Sequence, residues 1–172
     1  MLYILGLGLE DGEITQKGLE ALEEADQAFA EFYTNTETVD LDKLEEKSGT
    51  DIERLDREEV ERNDRIVKEA EERDTAFLVS GDPLTATTHY DIRHRAEQKG
   101  IETKVCHAPS IFTSIAGTGL NVYKFGRTVT LPREARPGSL IDHIKKNDSI
   151  DLHTLILLDI DYPANEAAEK LV

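Results

Sequence analysis

The sequence predicts an α/β fold in which a mostly parallel sheet carries helices on both faces. Short apolar runs of strand length alternate with segments whose apolar residues recur at helical spacing. Alternation of this kind places a crossover helix between successive parallel strands. The chain has 172 residues, of which 38% are hydrophobic, which is enough to bury the core of one domain. No apolar run reaches the roughly 18 residues that a membrane-spanning helix needs.

The first two thirds of the chain contain five predicted strands and four predicted helices. The strands are short apolar runs at 2–7, 27–32, 52–55, 75–79 and 102–106. The helices lie between them at 15–25, 41–47, 62–72 and 88–99. Thr15 can cap the first helix, because its hydroxyl can accept from a free N–H of the first turn. Gly100 suits the left-handed position that follows a helix.

The last third predicts further elements and a domain boundary. Ser110 can cap a helix at 111–117, residues 122–125 and 127–131 are expected to be extended, and a helix is expected at 137–147. The run 153–160 is so apolar that we expect a central, fully buried strand. Asn165 can cap a helix at 166–172. We therefore expect an α/β domain at 1–160, with a linker and the first helix of a second domain at 161–172.

The composition excludes several classes of partner. The net charge is −16, and such a surface repels nucleic acid and anionic lipid, so neither is expected as a partner. Two explanations remain open, a salt-rich cytosol that screens self-repulsion and one acidic segment at 37–74. The single cysteine, Cys106, excludes an internal disulfide and fits a reducing compartment. Because the chain begins directly with a strand and no basic segment precedes it, we expect a cytoplasmic protein.

The segment Gly81-Asp82-Pro83 follows the predicted strand 75–79 and is the main candidate for a binding site. Gly81 lets the backbone approach a ligand closely, and Pro83 stiffens the turn and prevents the strand from continuing. Asp82 is then displayed at the carboxyl end of the strand, where ligands bind in open α/β sheets. The alternative is a tight turn with no further role, since all three residue types are common in turns.

Three other junctions are expected at the same edge of the sheet. Gly6 and Gly8 resemble the start of a dinucleotide fingerprint, but Asp11 replaces the third glycine and would repel a pyrophosphate. These glycines therefore indicate either close approach by another ligand or a plain turn. Ser110 lies at the junction after the fifth strand, and Leu158 lies at the end of the last predicted strand. Four junctions along one edge predict a single crevice for a small molecule.

Other kinds of catalytic site are not indicated. The five histidines and Cys106 lack the spacing of a zinc site, so no metal is expected. The sequence has no nucleophile elbow of the Gly-x-Ser-x-Gly type and no phosphate-binding loop of the Gly-x-x-x-x-Gly-Lys-Ser type. Cys106 beside a strand is interpreted as a small core residue.

Several segments of the sequence, taken in order, resemble the diphthine synthases, a branch of the tetrapyrrole methylases. The matching segments are Leu7-Gly8-Leu9, Ile14-Thr15-x-Lys17-Gly18-Leu19-Glu20, Ala30-Glu31-Phe32-Tyr33-Thr34, Gly81-Asp82-Pro83-Leu84-x-Ala86-Thr87-Thr88-His89, Ala108-Pro109-Ser110-Ile111, Thr118-Gly119-Leu120, Tyr123-Lys124-Phe125-Gly126, Leu152-His153-Thr154-Leu155 and Leu158-Asp159-Ile160. They extend over residues 1–160.

The resemblance implies a methyltransferase that uses S-adenosylmethionine and releases S-adenosylhomocysteine. It further implies two α/β domains with the cofactor between them, a homodimer, and elongation factor 2 as a protein substrate that is methylated on a modified histidine. The implied cofactor contacts are Leu9, Asp82, Thr85, Ser110, Ile111 and Leu158. Thr85 is a departure, because this position is often Val in the family. No catalytic residue is implied, and methylation of a corrin or of ribosomal RNA, or an inactive folded fragment, are the alternatives.

Overall fold

The computed structural model describes residues 1–34, 39–134, 138–160 and 162–171. The chain divides into two compact units, Met1–Phe112 and Thr113–Val172. Two parts of the sequence predictions, the start of a helix at Pro137 and the end of one at Val172, lie outside the described residues. No helix in the described ranges is long and apolar enough to cross a membrane.

The first unit contains a five-stranded sheet in which all strands are parallel. The strands are β1 (Leu2–Gly6), β2 (Gln27–Glu31), β3 (Ile52–Leu55), β4 (Thr75–Val79) and β5 (Thr103–Cys106), and they lie in the order β3-β2-β4-β1-β5. The helices are α1 (Gln16–Glu23), α2 (Leu41–Ser48), α3 (Arg57–Glu61), α4 (Arg65–Glu72) and α5 (Tyr90–Gln98). The predicted α/β fold is therefore confirmed.

Apolar side chains cover both faces of this sheet, because successive residues of a strand point to opposite sides. On one face Leu5 of β1 belongs to a buried cluster with residues of α1 and α2, such as Leu22 and Leu44. On the other face Ile4 belongs to a cluster with residues of α4 and α5, such as Ile66. Helices therefore lie on both faces, as predicted.

Local signals account for several helix ends in this unit. The Thr15 hydroxyl accepts from the Gly18 N–H at 3.1 Å and caps α1 as predicted. Gly100 has the expected positive φ of 77°. The prediction missed α3, whose start is fixed by a capping box in which Asp56 and Glu59 each accept from the other's backbone N–H.

The second unit contains a two-stranded parallel sheet. The strands are β6 (Val129–Leu131) and β7 (Ile156–Leu158), and the helices that complete the chain are α6 (Ile111–Ser114), α7 (Gly138–Asp148) and α8 (Ala164–Leu171). The extended segment predicted at 122–125 was wrong, since Val122–Lys124 forms a 3₁₀ turn. Asn165 was wrongly predicted as a cap, because α8 begins one residue before it.

The prediction for the last strand was also wrong. Only three residues of the run 153–160 form β7, they are half-buried, and they pair with β6 in a sheet separate from the five-stranded one. The apolar residues instead contribute to a small core around Leu131, Leu140 and Tyr162. A strand of a two-stranded sheet that packs against a small core carries apolar side chains, as a central strand does, so the apolar run did not distinguish the two.

Candidate functional site

The loops after β1, β4 and β5 meet at one edge of the five-stranded sheet. These strands are parallel neighbours, so their carboxyl ends lie side by side. Gly8 and Gly81 exchange backbone hydrogen bonds, with N–O distances of 3.2 and 2.7 Å. A Cβ atom at Gly6 would lie 2.7 Å from the Gly81 carbonyl oxygen and 2.8 Å from Cβ of Ala108. The three loops are therefore in contact, and glycine is required where they come closest.

The junction brings together five of the predicted site residues. The Leu9 side chain lies 3.8 Å from the position that a Cβ of Gly81 would occupy, and its N–H donates to Glu13 Oε2 at 2.6 Å. Ser110, from the loop after β5, is buried, whereas Ile111 is exposed. Asp82 and Thr85 belong to the loop after β4. Because Leu9 N–H is already engaged, a ligand would meet the carbonyl group or side chain of this residue.

The Asp82 side chain is held by three hydrogen-bond partners. Its Oδ1 accepts from the Leu84 N–H at 3.1 Å and from the Thr85 hydroxyl at 2.9 Å. Its Oδ2 lies 2.7 Å from Nδ1 of His107. A carboxylate offers about four lone-pair directions, so one direction of Oδ2 is left for another donor.

These partners keep Asp82 ionised. Burial raises the pKa of the carboxyl group, but the hydrogen bonds from His107, Leu84 and Thr85 outweigh burial and lower the pKa below its usual value. The edge of the sheet therefore presents a fixed negative charge. Such a charge suits a ligand that carries an ammonium, sulfonium or hydroxyl group.

Leu158 does not belong to this edge. It ends β7 in the two-stranded sheet of the second unit. The prediction that all four junctions lie along one edge of the same sheet was therefore wrong for Leu158. The physical reason is that β7 pairs with β6. An apolar run indicates that a strand is buried, but it does not indicate which sheet the strand joins.

Sequence reasoning also missed residues at this edge. His107 follows β5 directly, and only the strand order β4-β1-β5 reveals that it reaches Asp82. Glu31 ends β2 and is fully buried with His89, from the loop after β4. The signal that could have found both is position, since a polar residue that follows a parallel strand lies at the edge where ligands bind.

The cluster around Glu31 is buried, and the carboxylate is held by several hydrogen bonds. The carboxylate accepts from the N–H groups of Tyr33 and Thr34, at 2.9 and 3.1 Å, and from the Thr34 hydroxyl. Nε2 of His89 lies 3.4 Å from the Tyr33 hydroxyl, and Phe77 packs against the imidazole edge to face. These contacts tie the loop after β2 to the loop after β4.

Two of the cavities of the first unit are lined by described residues. The larger, of about 380 Å³, is lined by apolar residues that include Leu7 and Ile14, with Asp40 and Lys43 also in its wall. The smaller, of about 260 Å³, includes His89 and Arg95 in its wall. Neither is lined by the predicted site residues. In the described ranges, no three His, Cys, Asp or Glu side chains are grouped so that they could hold a metal ion.

Comparison with known proteins gives consistent matches over the chain. A family model for tetrapyrrole (corrin/porphyrin) methylases matches residues 1–172. The diphthine methyl ester synthase of Schizosaccharomyces pombe is 45% identical over 165 residues, which are 93% of this chain and 58% of that protein. The diphthine synthase of Methanosarcina acetivorans is 42% identical over 188 residues, covering 100% of this chain and 71% of that protein.

The fold agrees with that of a solved relative. A crystal structure of diphthine synthase superposes with a TM-score of 0.92 at 39% sequence identity, covering 99% of this chain and 70% of that one. The human diphthine methyl ester synthase is 46% identical over 165 residues, again with 93% of this chain matched. This chain spans 58% of the length of the human and fission yeast proteins.

Proposed function

This chain belongs to the tetrapyrrole (corrin/porphyrin) methylase family, and we propose that it transfers methyl groups from S-adenosylmethionine in the manner of a diphthine synthase. The acceptor would be the modified histidine side chain of elongation factor 2, and the second product S-adenosylhomocysteine. The observation that carries the proposal is the fixed Asp82 carboxylate at the meeting point of three loops, in a fold that superposes on a diphthine synthase.

The residues at the junction fit the chemistry of this cofactor. S-adenosylmethionine carries a sulfonium, an ammonium and two ribose hydroxyls, and the Asp82 carboxylate is ionised with one lone-pair direction left. Gly6, Gly8 and Gly81 keep the backbone free of side chains where the loops approach. We propose that Leu9, Asp82, Thr85, Ser110 and Ile111 contact the cofactor.

The departure of the leaving group in this reaction needs no acid catalysis. When bound, the cofactor supplies a methyl group on a positive sulfur, whose leaving group is a neutral thioether. Expulsion of a neutral thioether needs no acid, so for this step the protein's contribution is to align the acceptor with the methyl group and to exclude water. Asp82 would fix the orientation of the cofactor through its charge and hydrogen bonds.

The remaining features of the proposal concern partners and organisation. Elongation factor 2 is the proposed protein substrate, a homodimer the proposed assembly and the cytoplasm the proposed location. We further propose that residues 1–160 form the N-terminal methylase domain, and that 161–172 form a linker and the first helix of a second domain. Support comes from the similarity to diphthine synthases and diphthine methyl ester synthases over 93% or more of this chain.

Calorimetry with S-adenosylhomocysteine tests the proposed role of Asp82. We expect Asp82→Ala to weaken binding about 10-fold or more, since hydrogen bonds to a charged group contribute about 1.5–3 kcal/mol. Asp51→Ala is the matched control, because it removes the same charge from an exposed residue. Unchanged affinity in Asp82→Ala would contradict the role of Asp82.

A methyl-transfer assay tests the substrate. Labelled S-adenosylmethionine is offered with purified elongation factor 2 that carries the unmethylated histidine modification, or with a corrin precursor, or with ribosomal RNA. We expect label in elongation factor 2 only. Label in the macrocycle or in RNA would replace the proposed substrate while preserving the proposed reaction.

A further inference from the structure

In the pair formed by His107 and Asp82, the carboxylate is buried and the imidazole is exposed to solvent. The Asp82 side chain is 9% exposed, whereas the His107 side chain is 69% exposed. Leu84 and Thr85 fix the carboxylate from the far side, through Oδ1. The imidazole therefore stands over the edge of the sheet with one nitrogen anchored and the rest of the ring accessible.

The anchoring determines which nitrogen of His107 can accept a proton. Asp82 is ionised and accepts only, so Nδ1 of His107, 2.7 Å from Oδ2, must donate. In the neutral ring the lone pair then lies on Nε2. A carboxylate on Nδ1 also stabilises the imidazolium that forms when Nε2 takes up a proton, which is the arrangement of a general base.

We propose that His107 Nε2 accepts the proton that an amine acceptor loses when it is methylated, with Asp82 holding the imidazole in the required tautomer. This role rests on the methyl transfer proposed above. The amine lone pair forms the new N–C bond, and the electrons of the broken C–S bond remain on sulfur as a neutral thioether. The resulting ammonium gives one N–H proton to Nε2, and the exposed imidazolium returns that proton to water. A nitrogen freed of its proton can then accept a further methyl group.

Charged residues near this edge of the sheet lie on the loops after β4 and β1 and at the start of α1. Asp82 is the partner on the loop after β4. In the loop after β1, Glu10 is exposed and Glu13 accepts from Leu9 N–H. On α1, Lys17 contributes its backbone carbonyl to the Cys106 thiol. A His107 variant also changes Asp82, because the hydrogen bond from His107 lowers the pKa of that carboxyl group. An aspartate titrates well below neutral pH, so the comparison is made at neutral pH and above, where a change in pH dependence reports on His107.

The tautomer is tested without catalysis. In ¹⁵N-labelled chain, long-range ¹H–¹⁵N spectra distinguish a protonated ring nitrogen from a bare one. For neutral His107 we expect a protonated Nδ1 and a bare Nε2, and in Asp82→Ala we expect this preference to be lost. A protonated Nε2 in the neutral wild-type ring would overturn the proposal.

The proton transfer is tested with His107→Asn, because the Asn amide can still donate to Asp82 but cannot accept a proton. With the elongation factor 2 substrate at neutral pH, we expect kcat for amine methylation to fall about 100-fold or more. The affinity for S-adenosylhomocysteine should stay within about threefold, because the carboxylate keeps its partner. The deficit should shrink as pH rises, since the amine then loses its proton to water. His94→Asn, an exposed histidine on α5, is the control with wild-type rate.

The outcomes separate the two proposals. A wild-type chain that neither binds S-adenosylhomocysteine nor transfers methyl groups overturns the proposed function, and the role of His107 with it. An active wild type with an equally active His107→Asn overturns only the role of His107. A His107→Asn that loses affinity in step with rate, at every pH, would make His107 a structural partner of Asp82 and overturn proton acceptance. Methylation of a carboxylate to an ester releases no proton and should be unaffected.

Discussion

His89 and Glu31 face each other beside the carboxyl ends of β4 and β2, with Nε2 of the imidazole 3.7 Å from Oε1 of the carboxylate. Both side chains are essentially inaccessible, at 1% and 0% exposure. Burial lowers the pKa of His89 to about 4, against a small opposing effect of the Pro83 carbonyl, and burial raises the pKa of Glu31. The pair is therefore held in an environment that disfavours charge on either member.

Acidification should destabilise the protein through His89. Between the ordinary pKa of 6.5 and the folded value of about 4, the unfolded chain binds a proton that the folded chain does not. The contribution of His89 to the free energy of unfolding is therefore fully present above pH 6.5. It is lost as pH falls towards 4, and the loss amounts to up to about 3 kcal/mol. Urea unfolding at a series of pH values measures the slope. His89→Gln should flatten the slope, whereas His94→Gln, on the surface, should leave it as in wild type.

Glu31 should oppose that loss. Because its pKa is raised in the folded state, the folded chain takes up a proton more readily than the unfolded chain as pH falls, and this favours folding. Glu31→Gln removes the compensation, so its free energy of unfolding should fall more steeply on acidification than that of wild type. A shallower slope in Glu31→Gln would contradict this assignment of signs.

Gly6→Ala should disrupt the junction of the three loops. The new Cβ would lie 2.7 Å from a backbone oxygen, 2.8 Å from Ala108 Cβ and 2.9 Å from Pro83 Cδ, none of which is the end of a flexible side chain. We expect a loss of about 1–3 kcal/mol in the free energy of unfolding, as for other overpacked sites. Gly117→Ala is the control, since no atom lies within 4 Å of its Cβ position. Equal stability of the two variants would show that the loops are not packed against each other.

The parallel sheet could be predicted from the sequence because its signals are local. The bounds of β3 and β4 agree with the sequence prediction residue for residue, since short apolar runs end at turn residues. Thr15 and Gly100 were likewise assigned from the chemistry of helix ends. Each of these features depends on residues within a few positions of one another.

The polar pairs could not be predicted, because they depend on strand order. His107 and Asp82 are 25 residues apart in the sequence. They meet because β4 and β5 both pair with β1, so that the loops after these strands lie at the same edge of the sheet. Glu31 and His89 meet because β2 lies beside β4. No spacing in the sequence encodes that order. For the same reason the apolar run ending at Leu158 indicated burial but not membership of a second sheet.

Ala86→Gly should stabilise the loop that carries Asp82. Ala86 has a φ of 59°, in the left-handed region that costs a residue with a Cβ about 1–2 kcal/mol. The loop holds this conformation through bonds on either side, from Thr85 N–H to the Asp82 carbonyl and from the Thr87 hydroxyl to the Pro83 carbonyl. After the entropy cost of glycine we expect a gain of up to about 1 kcal/mol in urea unfolding.

Ala116→Gly provides the comparison for that substitution. Ala116 lies in a 3₁₀ turn and does not have a positive φ, so glycine should lower stability there by about 0.5–1 kcal/mol. The two variants should therefore change stability in opposite directions. A loss in Ala86→Gly as large as that in Ala116→Gly would mean that the left-handed conformation carries no strain.

Asn147 should be essential to the second unit. Its buried amide accepts from the Arg127 N–H at 3.0 Å and donates to the Arg127 carbonyl at 2.9 Å and to the Thr154 hydroxyl at 2.8 Å. Asn147→Ala leaves these groups without their partner, and we expect a loss of about 2–3 kcal/mol in the free energy of unfolding. Asn121→Ala, at an exposed residue whose side chain caps nothing, should change stability by less than about 0.5 kcal/mol.

The contact between Asn147 and Gly126 allows a sharper test by a double-mutant cycle. A Cβ at Gly126 would collide with the Asn147 amide, within 2.6 Å of its Cγ, so Gly126→Ala alone should be destabilising. In an Asn147→Ala background those amide atoms are gone, and the same substitution should cost much less. We expect a coupling of about 1 kcal/mol or more, because residues in direct contact are not additive. Additive losses would place the cost of Gly126→Ala in the backbone and not in the Asn147 amide.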